Sequence, residues 1–390
     1  MRVLYLNPFS QEVSGPDESL LTLLGALIPL GVEAHLILPR PGPSVPRYEA
    51  LGVKVHYAPL TVLRRRPGAA ALLLPFRLVR GAAAVARIAR RERVDLIHTN
   101  MEVVLDGAIA SRLLRIPHVL HYRGNTNDDP KVVFDLLARF WTATAEKVFC
   151  ISNATAEIFR RRGLGSKVEV LYNPVDVQTF AAAERSDEVR RELGAGPGDL
   201  LVGTAGRIHP RKDVATFLRA CALVARERAD ARFVVAGSAE APVEAAYATE
   251  MRDLAGSLGI ADRLVWAGAR RDMPRVLKAL DLFVLCSRHE GFGRVVAEGM
   301  AAGVPMVLTR EGALPEVAAG GRAALLADPE SPGHFARQIS TALAEQSVRR
   351  ALAAAGREHA SGLSAEQIAR RVASLYAPLV DGASVAVPRI

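Results

Sequence analysis

The sequence predicts an α/β protein built on two parallel sheets. Short, continuously apolar runs alternate with longer amphipathic segments along almost the whole chain. Continuous apolar runs are typical of strands buried on both faces, as in parallel sheets that are covered by helices. The regular succession of strand and helix therefore indicates doubly wound α/β domains.

The strands fall into two series, which favours two domains over one sheet. The first series covers 3–6, 34–38, 53–57, 95–99, 118–122, 147–152 and 168–172. The second covers 200–206, 232–238, 264–268, 282–287 and 305–309. A polar, glycine-rich stretch lies between them at 181–199, and 390 residues are enough for two cores. An eight-stranded barrel is the alternative, but it fits the two blocks less well.

The composition excludes several classes of protein. Half of the residues are hydrophobic and 23% are charged, which argues against a disordered, collagen-like or coiled-coil chain. Cys150, Cys221 and Cys286 are too few and too scattered for a disulfide framework or a four-ligand zinc site. We expect them to be buried thiols in a reducing cytoplasm. The net charge of +9 indicates an anionic partner without identifying it.

The positive charge is concentrated between residues 64 and 93, which carry nine arginines and one acidic residue. On a helix, four of these side chains lie within an arc of about 80°: Arg77, Arg80, Arg87 and Arg91. They form either a basic face that meets anionic lipid headgroups or an ordinary solvated helix surface.

Neither the most apolar stretch of the chain nor its first ten residues predict a membrane-spanning protein. The apolar stretch 69–79 is interrupted by Pro75 and Arg77 and is shorter than the ~20 residues that a spanning helix needs. The first ten residues lack the apolar core of a signal peptide. We therefore expect a cytoplasmic protein, soluble or peripheral on the inner face of the membrane.

The strongest motif is the segment 287–309, which follows a predicted strand. A segment that follows a strand lies at the carboxyl edge of a parallel sheet, which is the edge where ligands bind. The loop HEGFG brings glycine backbone close to a ligand, just before a helix that is predicted to begin near Arg294. Glu290 and Glu298 stand eight residues apart, and carboxylates there can accept hydrogen bonds from the paired hydroxyls of a sugar or a ribose.

A second motif, GTAGRIHPRKD at 203–213, follows the first strand of the second series. Arg207 and Lys212 could hold a diphosphate and neutralise the charge that develops when it departs. The chain has neither a P-loop nor a strand–GxGxxG–helix fingerprint, which disfavours a nicotinamide-dependent oxidoreductase.

Together these two strings resemble the retaining glycosyltransferases of family 4. Glu290 and Glu298 match the family's E-x7-E pattern, and Arg207 with Lys212 matches its G-R-x4-K element. Further similarities lie in DLIH at 95–98, CISN at 150–153, VLYNPVD at 170–176 and PE at 315–316. The resemblance implies the GT-B architecture, in which two Rossmann-like domains face each other across a cleft. It implies an N-terminal acceptor domain at 1–175, a nucleotide-sugar domain at 176–375, and a last helix at about 376–390 that packs back on the first domain.

Carried over residue by residue, the resemblance implies a donor site and a small catalytic group. Arg207 and Lys212 would bind the diphosphate, Glu298 the ribose, and Glu290 the transferred sugar. Gly15 would lie near the diphosphate, although Pro16 after it departs from the family's usual glycine pair. His121 would contact the sugar, or would instead cap backbone at a strand end. The implied donor-binding residues are Gly15, Arg207, Lys212, Glu290, Gly291, Phe292, Gly293, Val295 and Glu298, and the implied catalytic residues are Glu290, His121, Arg207 and Lys212.

The resemblance implies transfer of a hexose from a nucleotide diphosphate sugar to a glycan, lipid-linked or small-molecule acceptor. It implies that the configuration at the anomeric carbon is retained and that the reaction needs no metal or other cofactor. Two alternatives stay open: a nucleotide-sugar 2-epimerase of the same fold, and a non-catalytic nucleotide-sugar-binding protein. No sequence signature of nucleic-acid binding is present, so we expect no such partner.

Overall fold

The computed structural model describes residues 1–10, 15–63, 72–124 and 131–380. The chain forms two compact units, which are residues 1–174 together with the segment from Ser364 onward, and Val175–Leu363. The return to the first unit comes at Ser364. The reason is the helix Ala365–Tyr376, whose apolar face packs on the first unit. The rest of the predicted last helix, 381–390, lies outside the described residues.

In its described part, the first unit has a seven-stranded parallel sheet with helices on both faces. The strands are Arg2–Leu6 (β1), Glu33–Leu38 (β2), Lys54–Tyr57 (β3), Leu96–Thr99 (β4), His118–Tyr122 (β5), Lys147–Cys150 (β6) and Val168–Val170 (β7). The helices are Gly15–Leu27 (α1), Val45–Ala50 (α2), Leu74–Arg91 (α3), Asp106–Leu114 (α4), Lys131–Thr144 (α5) and Asn153–Arg160 (α6), followed much later by Ala365–Tyr376 (α16).

The second unit, Val175–Leu363, is built around a parallel sheet of six strands. These are Leu200–Ala205 (β8), Ala231–Ala236 (β9), Leu264–Gly268 (β10), Leu282–Leu285 (β11), Met306–Thr309 (β12) and Leu325–Ala327 (β13). Its helices are Val177–Ala182 (α7), Asp187–Glu192 (α8), Val214–Glu227 (α9), Pro242–Ser257 (α10), Met273–Ala279 (α11), Arg294–Ala302 (α12), Leu314–Val317 (α13), Pro332–Ala344 (α14) and Gln346–Ser361 (α15).

Alternating side chains of the first sheet enter two separate cores. Val3 and Tyr5 of β1 pack with α1 and α16, whereas Leu4 and Leu6 pack with α3. This burial on both faces explains why β1 reads as a continuous apolar run. The predicted α/β class is confirmed, and the alternative barrel is wrong because both sheets are open.

The strand order of each sheet reverses at one point. The first sheet runs β3-β2-β1-β4-β5-β6-β7 and the second runs β10-β9-β8-β11-β12-β13. The order therefore switches between β1 and β4 and between β8 and β11. Loops that leave the carboxyl ends of the flanking strands diverge at such a point and leave a crevice, where ligands of open α/β sheets bind.

Two further expectations concern membrane spans and thiols. Among the described residues, no helix combines the length and the apolar character needed to cross a membrane. Cys150, Cys221 and Cys286 are all buried, as predicted, and burial raises the pKa of each thiol well above its usual value.

Candidate functional site

Both sequence motifs of the second unit lie at its topological switch point, and one ion pair connects them. Lys212 ends a short 3₁₀ turn that follows β8, and Glu290 lies in the loop that follows β11. The Lys212 ammonium donates to the Glu290 carboxylate over 2.8 Å, and both side chains are largely buried. Backbone contacts support this juxtaposition, since the Arg288 amide donates to the Arg211 carbonyl at 2.9 Å.

The glycine loop, residues 289–293, is supported by the segment around Ala313 and Leu314. It leads into α12, which begins at the predicted residue, Arg294. The Glu290 carbonyl accepts from the Ala313 amide at 2.9 Å. Gly293 precedes the helix with a φ of 82°, and a Cβ atom there would stand 2.7 Å from the Leu314 side chain. Only glycine satisfies both conditions without strain. The Phe292 side chain is buried, while Gly291 and Val295 are partly exposed.

Glu298 lies on the second turn of α12 and is paired with a residue on its own helix. Its Oε1 atom accepts from Arg294 at 2.7 Å and 3.1 Å. Both donors meet the same carboxylate oxygen, so the pairing orients the group while Oε2 is the atom that can accept from a ligand hydroxyl. Sequence analysis did not identify Arg294 as a functional residue, although its i, i+4 spacing from Glu298 is a recognisable signal.

Arg207 follows β8 and is 69% exposed, with one Nη atom 3.6 Å from the buried Glu244 carboxylate. The other oxygen of Glu244 accepts from the amides of Glu240 and Ala241 and so caps α10. Arg207 therefore extends into solvent with one end of its guanidinium near a buried carboxylate. The distance to Glu244 exceeds a hydrogen bond, which leaves the guanidinium able to bind an anion.

The residue after Lys212 explains a departure from the family pattern. Asp213 has a φ of 48°, in the left-handed region that glycine adopts without cost and aspartate tolerates. Its side chain accepts from the Thr216 amide at 3.3 Å and from the Thr216 hydroxyl at 2.8 Å. Asp213 thus combines the turn that positions Lys212 with the N-cap of α9.

The loop that bears Arg207 is closely packed against the loop after β9. Gly206 has a φ of 138°, and its amide donates to the Ala236 carbonyl at 2.9 Å. A Cβ atom at Gly237 would collide with the Gly206 carbonyl. Because that obstacle is backbone, a side chain at Gly237 would have to displace the segment between Gly206 and Lys212.

In the first unit, the predicted site residues have different environments. Gly15 is the first residue of α1, is exposed, and has open space where a Cβ atom would stand. His121 lies on β5, is fully buried, and has its Nδ1 atom 3.3 Å from Arg123. Burial, followed by electrostatic repulsion from Arg123 and then from the His98 ring, lowers the His121 pKa well below its usual value, so the ring is neutral. Within the described residues its Nε2 atom has no hydrogen-bond partner.

Sequence analysis missed a polar network at the carboxyl edge of the first sheet. Arg123 donates to the side-chain oxygens of Asn100 at 2.9 Å and of Asn173 at 2.6 Å. Asn100 donates in turn to Asn7 at 3.1 Å, and Asn7 donates to Asp17 on α1 at 2.5 Å. Each of the three asparagines follows a strand or its extension, and a polar residue at that position was the signal available in the sequence.

Family models match both units. The model described as Glycosyltransferase Family 4 matches residues 13–179, and that described as Glycosyl transferases group 1 matches residues 185–359. The 2-deoxystreptamine N-acetyl-D-glucosaminyltransferase of Streptomyces fradiae is 30% identical over 345 residues, covering 78% of this chain and 80% of the relative.

Other relatives match over a smaller part of their length. The lipopolysaccharide core biosynthesis mannosyltransferase LpsB of Rhizobium meliloti is 34% identical over 152 residues, which are 39% of this chain and 43% of LpsB. The chain spans about half the length of the first curated relatives that it matches.

Solved structures agree on the fold. The crystal structure of Anabaena Alr3699/HepE in complex with UDP-glucose superposes with a TM-score of 0.82 at 22% identity, over 97% of this chain and all of HepE. WaaG, a glycosyltransferase involved in lipopolysaccharide biosynthesis, gives a TM-score of 0.71 at 16% identity, over 98% of this chain and all of WaaG. With family models on both units and a relative matched over four fifths of its length, the chain belongs to the family 4 type of glycosyltransferases, which have the GT-B fold.

Proposed function

We propose that the chain is a retaining hexosyltransferase that uses a nucleotide diphosphate sugar as donor and a glycan, lipid-linked or small-molecule acceptor. The observation that carries the proposal is the contact of Lys212 with Glu290, followed by Glu298 on the next helix, at the switch point of the second sheet. A nucleotide sugar as donor is supported by two relatives, a galactosyltransferase named for UDP-Gal and the HepE structure with UDP-glucose.

In the proposed reaction, the bond between the anomeric carbon and the diphosphate oxygen breaks. A bond from an acceptor hydroxyl oxygen to the same carbon forms on the same face, and the hydroxyl proton passes to the leaving diphosphate. Arg207 and Lys212 would neutralise the charge that accumulates on this leaving group. The proposal involves no metal ion or other cofactor in this step.

The remaining predicted residues have roles consistent with their surroundings. Glu298, oriented by Arg294, would accept from the ribose hydroxyls, and Glu290 would contact the transferred sugar. The backbone of the segment 291–295 leads into the start of helix α12, and N–H groups at a helix start suit anionic oxygens. In the first unit, Gly15 would approach the diphosphate. His121 would meet the sugar only after its surroundings move, because the ring is fully buried in this structure.

The experiment measures donor consumption and product formation with a panel of sugar nucleotides, first screened by thermal shift. We expect one donor class to stabilise the protein, and Lys212→Ala and Glu298→Ala to reduce transfer at least tenfold. Glu250→Ala and Arg337→Ala are matched controls, because both side chains are exposed on other helices of the same unit. Full activity in both site variants would refute the site. Epimerised donor without transfer would favour the 2-epimerase, and donor binding without turnover would favour the non-catalytic protein.

We further propose that the enzyme works in the cytoplasm, on the inner face of an anionic membrane, through helix α3. Its inner face packs in the core beside β1, and four large apolar side chains are exposed, two just before the helix and two on its first two turns. The exposed fractions of Leu72, Leu73, Phe76 and Val79 lie between 60% and 86%. Arg80 and Arg87 lie on the same outer face. Apolar side chains beside cations suit insertion among anionic headgroups.

Two details refine the predicted basic face. Arg77, Arg80, Arg87 and Arg91 are all exposed, but Arg91 donates to the Glu92 carboxylate at 2.7 Å and is partly neutralised. Helix α5 adds the exposed side chains of Val132 and Leu136, and the inner sides of both helices pack in one cluster through Leu78 and Phe134. The proposed docking surface therefore combines α3 with the start of α5.

Flotation with vesicles of neutral or anionic lipid tests this surface. We expect binding to anionic vesicles only, weakened at least tenfold by Phe76→Ser with Val79→Ser and by Arg80→Glu with Arg87→Glu. Leu113→Ser is the matched control, since Leu113 is a large exposed apolar residue on the neighbouring helix α4. No flotation, or flotation unchanged in both double variants, would contradict the proposal.

A further inference from the structure

A cluster of ligand-type side chains lies in the first unit, on residues that the glycosyltransferase site does not use. His35 is on β2, His56 is on the neighbouring strand β3, and Glu92 follows the last turn of α3. The His35 Nδ1 atom lies 3.1 Å from His56 Nε2 and 3.8 Å from Glu92 Oε2. The three donor atoms all lie within 4.8 Å of one another.

We propose that His35 Nδ1, His56 Nε2 and Glu92 Oε2 bind one Zn²⁺ ion. Tetrahedral zinc with bonds of 2.0–2.1 Å places its ligand atoms about 3.3 Å apart, close to the separations found here. Two imidazoles and one carboxylate form a common zinc ligand set, with water as the fourth ligand.

The surroundings of His35 match those of a metal-binding histidine. The ring is 1% exposed, and its Nε2 atom faces the carboxylate of Glu33. The nearest charged oxygen, Glu33 Oε1, lies 3.3 Å from this atom. The Glu33 carboxylate also accepts from Lys54 at 2.6 Å and from Arg2 at 3.2 Å. An outer carboxylate on the second ring nitrogen orients the imidazole and raises its basicity as a ligand.

Arg91 is the feature that opposes metal binding. Its Nη2 atom lies 3.2 Å from His56 Nδ1, and when it donates there the proton of the neutral ring stays on Nε2. In that tautomer, His56 Nε2 donates a hydrogen bond to His35 Nδ1, so neither nitrogen can bind a metal ion. Zinc binding requires the other tautomer, with the proton on His56 Nδ1. Arg91 is well exposed and also bonds Glu92 Oε1, so it can leave His56 while it still contacts the ligating carboxylate.

The site would join the edge of the first sheet to the end of helix α3, the helix of the proposed docking surface. Because the ion would connect these two elements of the folded protein, zinc binding can be measured through thermal stability, without an assay of glycosyl transfer. A ligand that binds only the folded protein raises its melting temperature in a concentration-dependent manner.

The test uses the full chain after chelator treatment, with Zn²⁺ followed by calorimetry and Co²⁺ by its visible absorption. We expect one ion per chain, a tetrahedral Co²⁺ spectrum and a rise in melting temperature with Zn²⁺. His56→Ala and Glu92→Gln should weaken binding at least 100-fold, and Glu33→Gln about tenfold. Arg91→Gln should tighten binding several-fold, because it removes the competing donor and a nearby positive charge.

His334→Ala is the matched control, because His334 pairs with Asp328 in the second unit at 3.0 Å. It should bind zinc as the unaltered protein does. No binding at micromolar zinc would overturn the proposal, and so would binding that is unchanged in both His56→Ala and Glu92→Gln. Circular dichroism establishes that these variants are folded, which is expected because His56 and Glu92 are partly exposed.

Discussion

The Lys212 ammonium lies 2.8 Å from the Glu290 carboxylate, although 78 residues separate the two in the sequence. They follow β8 and β11, the neighbouring strands between which the second sheet reverses its order. When a negatively charged donor binds, Lys212 is already paired with Glu290. The positive charge of Lys212 must then be shared between the Glu290 carboxylate and the diphosphate.

Removing one partner of this pair should cost stability as well as donor binding. Lys212→Ala leaves a largely buried carboxylate without its cation, and we expect a loss of about 1–2 kcal/mol in the free energy of unfolding. The double variant Lys212→Ala with Glu290→Ala should recover part of that stability but no donor binding. Urea unfolding and donor titration measure the two effects. A double variant no more stable than Lys212→Ala would contradict the coupling.

Glu298→Gln should weaken the binding of a nucleoside diphosphate about tenfold, since a neutral amide is a weaker partner for ribose hydroxyls than a carboxylate. The 2′,3′-dideoxy analogue provides the discriminating comparison. The unaltered protein should prefer the ribose form, and Glu298→Gln should lose most of that preference. Calorimetric titration of both nucleotides measures it. An unchanged preference would show that Glu298 does not read the ribose.

Gly237→Ala should destabilise the second unit by about 2 kcal/mol or more, because the added methyl group collides with the Gly206 backbone. It should also weaken donor binding through the displaced segment that carries Arg207. Gly256→Ala, on helix α10, has open space at the Cβ position and should stabilise the protein by up to about 1 kcal/mol. Urea unfolding separates the two outcomes, and equal effects would contradict the steric argument.

Asp106 gives a pH dependence with a defined sign. Burial raises its pKa to about 6, although its carboxylate accepts from the Thr61 amide at 2.6 Å. The folded chain therefore binds this proton more tightly than the unfolded chain, so Asp106 lowers stability as the pH rises from about 4 to 6. Asp106→Asn removes the titration. The free energy of unfolding of this variant, minus that of the unaltered protein, should be about 2–3 kcal/mol larger at pH 7 than at pH 4. A pH-independent difference in urea unfolding would contradict this.

Most of the fold could be predicted because buried parallel strands leave continuous apolar runs. The strand β13 was missed because it has three residues, and its surroundings, GRAALLADP, are rich in alanine and leucine, which favour helices. The structure returns the chain to the first unit at Ser364, and an amphipathic helix does not by itself reveal which core its apolar face joins.

The candidate site was predictable only in part. Arg207, Lys212, Glu290 and Glu298 stood out through their spacing and their positions after strands. The pairing of Glu298 with Arg294 and the anchoring of Arg207 by Glu244 were not predicted. The three asparagines around Arg123 escaped notice because each occurs singly in the sequence, and only the sheet brings them together.

The sequence by itself determined the α/β class, the division into two domains and the residue types of the candidate site. These depend on local periodicity and on motifs confined to short segments. The tertiary structure decided which charges meet, as in Lys212 with Glu290 and His35 with His56. Such contacts join segments far apart in the chain, and their distances follow from strand order and register, which a single sequence does not encode in any local pattern.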